Sequence, residues 1–280
     1  MKICTISTVS GHYKDIIDRL NNLIIASSKE DIKAYKRNIK DVKISSFDAI
    51  SGLSGVIAYL LFFKDEEDIR KLIMEGLSYL VGLTQDREVY GYVVPNYHIS
   101  SKNQLLDIEK DIYMKGNFNL GLSNGIGGIL AALSIALMEG IEIAGQRKAI
   151  ERILEDYKRF HYVDNNGAVY WPGIIKFEDY ISGQCKIDGR RAGWCYGSPG
   201  IARAMYMAGN AIGDKEAIEL SLKAIDGLCN MKEEEWMLNS PTICHGYAGL
   251  LTAVQAMYKD TGNVKYRECA DRIMEIILSL

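Results

Sequence analysis

The sequence predicts an all-α protein, an α/α toroid in which inner and outer helices alternate around one axis. Four segments carry a Gly-x-x-Gly turn that runs into a small-and-aliphatic stretch, and each is followed by a more charged amphipathic segment. Only 4 of 280 residues are proline. Proline removes an amide donor and breaks helix interiors, so little of the chain is forced out of helix. The 26 glycines then have to mark most of the turns.

The first unit is Gly52-Leu-Ser-Gly55 before VIAYLLFF, with EEDIRKLIMEGLSYLVGL after it. Gly125-Ile-Gly-Gly128 leads ILAALSIALM, and QRKAIERILEDYKRFHYV follows. Gly197-Ser-Pro-Gly200 leads IARAMYMAG before DKEAIELSLKAIDGLC, and Gly246-Tyr-Ala-Gly249 leads LLTAVQAMY before NVKYRECADRIMEIILSL. In the last three charged segments apolar residues recur at i, i+3, i+4 and i+7, the mark of one buried helix face. The glycine-led helices, apolar on most sides, belong inside. The longest apolar stretch, Ile126 to Met138, is 13 residues, too short to cross a bilayer and suited to a core helix.

Glycines at the inner-helix starts are expected to supply backbone angles closed to other residues and to let chains approach closely. Self-similarity at this scale indicates a repeat architecture, with all the glycine turns at one end; an irregular helical bundle is the alternative. Two long connections, 84–104 and 163–190, are rich in Tyr, Val, Ile and Gly and read as extended loops or short hairpins. Such loops suit substrate contact or plain solvent exposure. Residues 1–280 read as a single domain, with 1–44 a helical N-terminal segment.

A chain that is 48% hydrophobic and 25% charged is soluble and globular. Its net charge of −3 and pI near 5.9 leave no electrostatic footprint for nucleic acid. The N-terminal MKICTISTVSGHYKD lacks the apolar run of a secretory signal, so the expected location is cytoplasmic. Any link to membrane-bound partners would be peripheral. Six cysteines, Cys4, Cys185, Cys195, Cys229, Cys244 and Cys269, are there thiols or metal ligands rather than disulfides. The absence of any CxxC argues against a zinc ribbon or thioredoxin-like site.

Two glycine turns carry the chemistry: Arg191-Ala-Gly-Trp-Cys-Tyr-Gly-Ser-Pro-Gly200 and Thr242-Ile-Cys-His-Gly-Tyr-Ala-Gly249. If equivalent turns lie at one end of the ring, Cys195, Cys244 and His245 converge. Thiolate and imidazole are favoured zinc ligands, and three protein ligands leave a fourth position open. The alternative for each cysteine is a small buried side chain.

GWCYGSPG, CHGYAG, GLSNGIGG and FDAISGLSG resemble the motifs of the lanthionine synthetase C-like family, in the same order, from about residue 45 to the C-terminus. The resemblance implies an α/α toroid binding one Zn2+ through Cys195, Cys244 and His245. It implies addition of cysteine thiols of a dehydrated precursor peptide to dehydroalanine or dehydrobutyrine, forming thioether rings. It further implies work alongside a separate dehydratase and a transporter. Asp48 falls at the family's active-site aspartate, with an N-cap or turn residue as the plain alternative. Arg191 matches an arginine that could stabilise an enolate, against a surface charge; Tyr196 could donate a hydrogen bond, against wall packing.

Asn124 departs from the pattern, which places histidine there. An amide donates a hydrogen bond but exchanges no proton near neutral pH. The other histidines, His12, His98 and His161, lie in no matching motif, and His98 and His161 are expected to be solvated. The chain also carries fewer glycine-turn units than the family, so an incomplete ring is expected to expose apolar edges. Two functions follow: a zinc-dependent lanthipeptide cyclase, or a catalytically impaired zinc scaffold that binds precursor peptide or biosynthetic partners. A glycan-processing toroid would need paired carboxylates at its mouth, and Asp48 alone stands beside a glycine turn.

Overall fold

The computed structural model describes residues 13–184 and 190–280; Cys4, His12 and Cys185 lie outside them. Helix α1 (Lys14–Arg37) packs on the outer helix of the first of four inner–outer pairs that follow. These are α2 (Leu53–Leu60) with α3 (Glu67–Leu83), α5 (Ile126–Met138) with α6 (Gln146–Arg159), α8 (Ser198–Ile212) with α9 (Lys215–Asn230), and α10 (Tyr247–Thr261) with α11 (Val264–Ser279). The inner helices neighbour one another in chain order: α2 packs on α5, α5 on α8 and α8 on α10. α5 coincides with the 13-residue apolar stretch and buries side chains all round, from Ile126 and Ile129 to Leu130 and Leu133. α6 buries one face only, through Ala149, Ile150, Ile153, Leu154 and Tyr157. Hydrophobic patterning thus sorted helices into layers as periodicity predicts.

Two tight corners make the pairing local. At the end of α8, Gly213 takes φ +80° and the next residue, Asp214, caps α9 by accepting from Ala217 N. At the end of α10, Gly262 takes φ +69° and Asn263 caps α11 by accepting from Lys265 N. Left-handed glycine ends one helix and an Asx side chain starts the next. The inner-helix glycines behave differently from expectation. Gly52, Gly125, Gly197 and Gly246 have φ between −93° and −130° in extended backbone open to any residue, so the requirement there is space. A β-carbon would lie 2.3 Å from Asp48 N at Gly52 and 2.1 Å from Ser240 O at Gly246.

The connection 84–104 forms the hairpin β1 (Asp86–Val89)–β2 (Tyr92–Pro95), closed by Tyr90 and Gly91, both at positive φ. This is the two-residue turn that matches strand twist. A short helix, α4 (Asp107–Ile112), and strand β3 (Asn117–Asn119) come next. In the connection 163–190, β4 (Tyr162–Val163) pairs with β5 (Val169–Tyr170), and β6 (Ile174–Lys176) pairs with β3, Asn119 opposite Ile174. A short helix not anticipated there, α7 (Phe177–Ser182), forms because Phe177 and Tyr180 bury against Phe118. Ile16, Leu20 and Leu23 are exposed on α1, and Leu278 on α11. No helix among the described residues is long and apolar enough to cross a membrane.

His98 corrects the expectation of a solvated histidine. It is 2% exposed, in edge contact with Phe177 and tilted against Phe118. Its Nε2 donates to Lys115 O at 2.8 Å, while Nδ1 accepts from Arg87 at 3.2 Å. Burial, opposed by the Lys115 carbonyl and assisted by the Arg87 charge, lowers its pKa to about 4. The unfolded chain therefore binds a proton between about pH 6.5 and 4 that the folded chain refuses. His98 leaves stability intact above that window and removes up to roughly 3 kcal/mol as pH falls through it. Thermal unfolding across this range should show a smaller acid loss in His98→Gln than in wild type; equal losses would contradict the assignment.

His161, by contrast, is exposed as expected, its Nδ1 beside Lys158 O.

Candidate metal centre

The four glycine turns are hydrogen-bonded into a row at one end of the inner helices. Ala49 N donates to Ser123 O at 2.8 Å, Leu122 N to Cys195 O at 2.7 Å, and Cys195 N to Cys244 O at 3.4 Å. Cys195 and Cys244 each stand two residues before their first turn glycine, so the repeat puts both sulfurs in the same register on adjacent turns. Each turn folds this tightly on itself because the fourth position is also glycine. A β-carbon would lie 2.0 Å from Trp194 O at Gly200 and 2.0 Å from Ile243 O at Gly249.

The ligand atoms of Cys195, Cys244 and His245 all lie within 4.8 Å of one another, with Cys244 Sγ and His245 Nε2 4.0 Å apart. Among the described residues this is the one His/Cys/Asp/Glu cluster of metal-site geometry. Zn–S near 2.3 Å and Zn–N near 2.0–2.1 Å imply ligand separations of roughly 3.5–4 Å in a tetrahedron. Side-chain adjustment of about an ångström closes the difference, so the donor set fits zinc. Cys195 is buried, Cys244 half-buried and His245 exposed, which leaves the open side toward solvent. Burial, and then the Cys244 sulfur, push the Cys195 thiol up to about 12.

A cleft of about 170 Å³ opens beside the ligands, and Tyr170, Trp171, Arg190, Arg191 and Tyr196 line it together with Cys195 and His245. The second long connection therefore contributes to this wall, and the first contributes none of its lining residues. Arg191 is exposed and makes no ion pair among the described residues. Its neighbour Arg190 pairs with Asp164 at 3.7 Å and lies over the Tyr170 ring at 5.4 Å.

Asp48 is a turn residue, the plain alternative set out for it, and its second oxygen faces Asn124. Oδ1 accepts from Ser51 N at 2.7 Å and Gly52 N at 2.6 Å, which fixes the first glycine turn. Oδ2 accepts from Asn124 Nδ2 at 2.6 Å. The amide orientation of Asn124 follows, since a carboxylate can only accept. Asn124 Oδ1 in turn accepts from Ser123 Oγ at 2.9 Å and Tyr196 OH at 3.5 Å. The fold thus brings Asp48, Asn124 and Tyr196 into one chain of hydrogen bonds, and Tyr196 lines the ligand cleft.

Sequence reasoning missed what holds Tyr196. Asn119 Nδ2 donates to Tyr196 OH at 3.1 Å, and Asn119 Oδ1 accepts from Gly121 N at 3.0 Å. A β-carbon at Gly121 would lie 2.7 Å from Tyr196 Cδ1, and one at Gly173 3.0 Å from the same atom. Burial raises the Tyr196 pKa, partly offset by the Asn119 hydrogen bond, so the phenol stays neutral. The signal was the β3–β6 pairing, which local sequence does not reveal.

A family model described as "Lanthionine synthetase C-like protein" matches residues 3–280, well beyond the stretch from residue 45 that the motifs cover. The chain is similar to the "Nisin biosynthesis protein NisC" of Lactococcus lactis subsp. lactis, 29% identical over 259 residues. That match covers 90% of this chain and 58% of the relative. Among solved structures it is similar to "Nisin cyclase", with TM-score 0.84 and 25% identity over 95% of this chain and 65% of the other. A D-mannose isomerase, at TM-score 0.54 and 12% identity, shares the fold. The chain spans about six-tenths of the length of the relatives it matches.

Proposed function

Because the chain belongs to the lanthionine synthetase C-like family, we propose that it is a zinc-dependent lanthipeptide cyclase. Its substrate would be a dehydrated, cysteine-containing precursor peptide, dehydrated beforehand by a separate enzyme. The observation that carries this reading is the convergence of Cys195, Cys244 and His245 beside an open cleft. A bound zinc would lower the pKa of a peptide thiol that ligates it, so that the thiol reacts as thiolate near neutral pH.

In the reaction a C–S bond forms at the β-carbon of the dehydro residue, and the C=C pair passes to an enolate. The α-carbon then takes a proton, so that S–H is added across the double bond. This chain's residues supply the surroundings. Arg191, exposed on the cleft wall, offers a cation to the enolate oxygen. Tyr196 offers a neutral O–H. Asp48 fixes Asn124 against the glycine turn.

Asn124 favours a second reading, a catalytically impaired zinc scaffold that binds precursor peptide or biosynthetic partners. No proton leaves an amide near neutral pH, so protonation at the α-carbon would fall to water. The test offers a dehydrated cysteine-containing peptide to the zinc-loaded protein and follows free-thiol loss by alkylation and mass spectrometry. Loss above background supports the cyclase, and none supports the scaffold. In Asn124→His the Asp48 carboxylate stands ready to orient the imidazole, and turnover should rise by about 10- to 100-fold. Unchanged turnover would show that this position does not limit the reaction.

A further inference from the structure

Tyr196 sits in a slot that its own motif does not build. The ring passes between Gly121 and Gly173, where a β-carbon on either side would come within 3.0 Å of Cδ1. The two glycines flank the paired strands, Gly121 after β3 and Gly173 before β6, where Leu120 N donates to Gly173 O at 2.8 Å. Asn119, 2% exposed at the end of β3, is locked by its Oδ1 to Gly121 N, which leaves only Nδ2 to meet the phenol. An amide N–H can only donate, so the Tyr196 oxygen is the acceptor in that bond and its own hydrogen must point elsewhere. The acceptor it finds is Asn124 Oδ1 at 3.5 Å, at the edge of hydrogen-bond reach. The O–H is thus turned away from Asn119 toward Asn124 and weakly engaged there.

We propose that Asn119 is the positioning residue of this centre: it fixes the polarity of the Tyr196 hydroxyl so that the O–H is presented to the enolate oxygen of the substrate. This rests on the cyclase reading above and names a determinant outside the metal-ligand motifs. A pre-aimed donor of this kind costs no reorganisation when charge develops, and removing one typically slows a reaction by about 10²–10³-fold. With Asn124 unable to give up a proton, the aimed phenol is a principal neutral donor left to the developing charge.

The discriminating variant is Asn119→Asp. It keeps shape and the bond from Gly121 N, but its second oxygen can only accept and would draw the Tyr196 hydrogen back into the wall. Asn119→Leu removes the contact altogether. The first readout needs no turnover: in protein labelled with 3-fluorotyrosine, the Tyr196 ¹⁹F line is assigned by its loss in Tyr196→Phe. It should shift in Asn119→Asp while zinc content and melting temperature stay near wild type. The second readout is thiol loss on a dehydrated peptide, where kcat should fall about 10²-fold with KM little changed. A ¹⁹F line unmoved in a folded, zinc-loaded Asn119→Asp protein, or a kcat equal to wild type, overturns the proposal. Should wild type itself consume no thiol, the cyclase reading fails while the ¹⁹F shift still decides whether Asn119 sets the hydroxyl.

Discussion

Cys244→Ala should reduce bound zinc from about one ion per chain to near zero, and thiol consumption should fall to background with it. Zinc sites are built from close to their full ligand set, and three protein donors leave nothing in reserve. His245 is exposed and Cys195 buried, so removing the sulfur between them leaves one imidazole and one thiol that cannot hold the ion against water. The remaining thiol is a poor ligand alone. With Cys195 pushed up to about 12 by burial and the neighbouring sulfur, a metal must displace its proton, and loading in wild type should weaken as pH falls. Elemental analysis of the purified variant checks the first result. Retention of stoichiometric zinc in Cys244→Ala would mean that the ion lies elsewhere.

Gly200→Ala should be among the most damaging single methyls added to the turns. Its β-carbon would come 2.0 Å from the Trp194 carbonyl oxygen, and Trp194 immediately precedes the ligand Cys195. Neither group is a flexible side-chain end, so backbone must move. Overpacking of this kind costs about 1–3 kcal/mol or more, which lowers the melting temperature of a chain this size by roughly 2–5 °C or more. The same shift carries Cys195 away from Cys244 and should weaken zinc binding. Gly128→Ala supplies the scale: its β-carbon would meet Ala49 N at 3.1 Å, a contact that small displacements relieve. Differential scanning calorimetry with zinc analysis should rank Gly200→Ala well below Gly128→Ala. Equal melting temperatures and equal zinc would contradict the account of why these turns need glycine.

The helix layers were legible because a buried inner helix and a one-faced outer helix leave different periodic traces, and the stretch Ile126 to Met138 is helical over its whole length. The convergence of Cys195, Cys244 and His245 was legible because each repeat announces itself by a glycine pair, so equal offsets before it meant equal places in space. Register, however, is all that a motif conveys. Of the two reasons expected for the glycines, close approach holds and special backbone angles do not: at Gly125 and Gly246 the backbone is extended and the crowding comes from carbonyls of the preceding loop. Asn119 and Gly173 act on Tyr196 through a strand pairing between segments 55 residues apart, Asn119 to Ile174, and no local pattern encodes that contact. His98 was misassigned for the same reason. Its burial depends on Phe118 and Phe177, which arrive from two other elements. Asp48 holds the turn through one oxygen, and the bond of its other oxygen to Asn124 depends on a turn 76 residues away that its own motif does not encode.

The central claim is that side chains from two distant turns gather one Lewis-acidic ion. Wild-type protein, purified under reducing conditions without added metal, should contain about one zinc per chain by elemental analysis. Replacement by cobalt(II) should give the sulfur-to-metal charge-transfer absorption of thiolate ligation, absent in Cys195→Ala. A wild-type protein with its cysteines reduced that holds no zinc, and takes up none when zinc is supplied, would contradict the account.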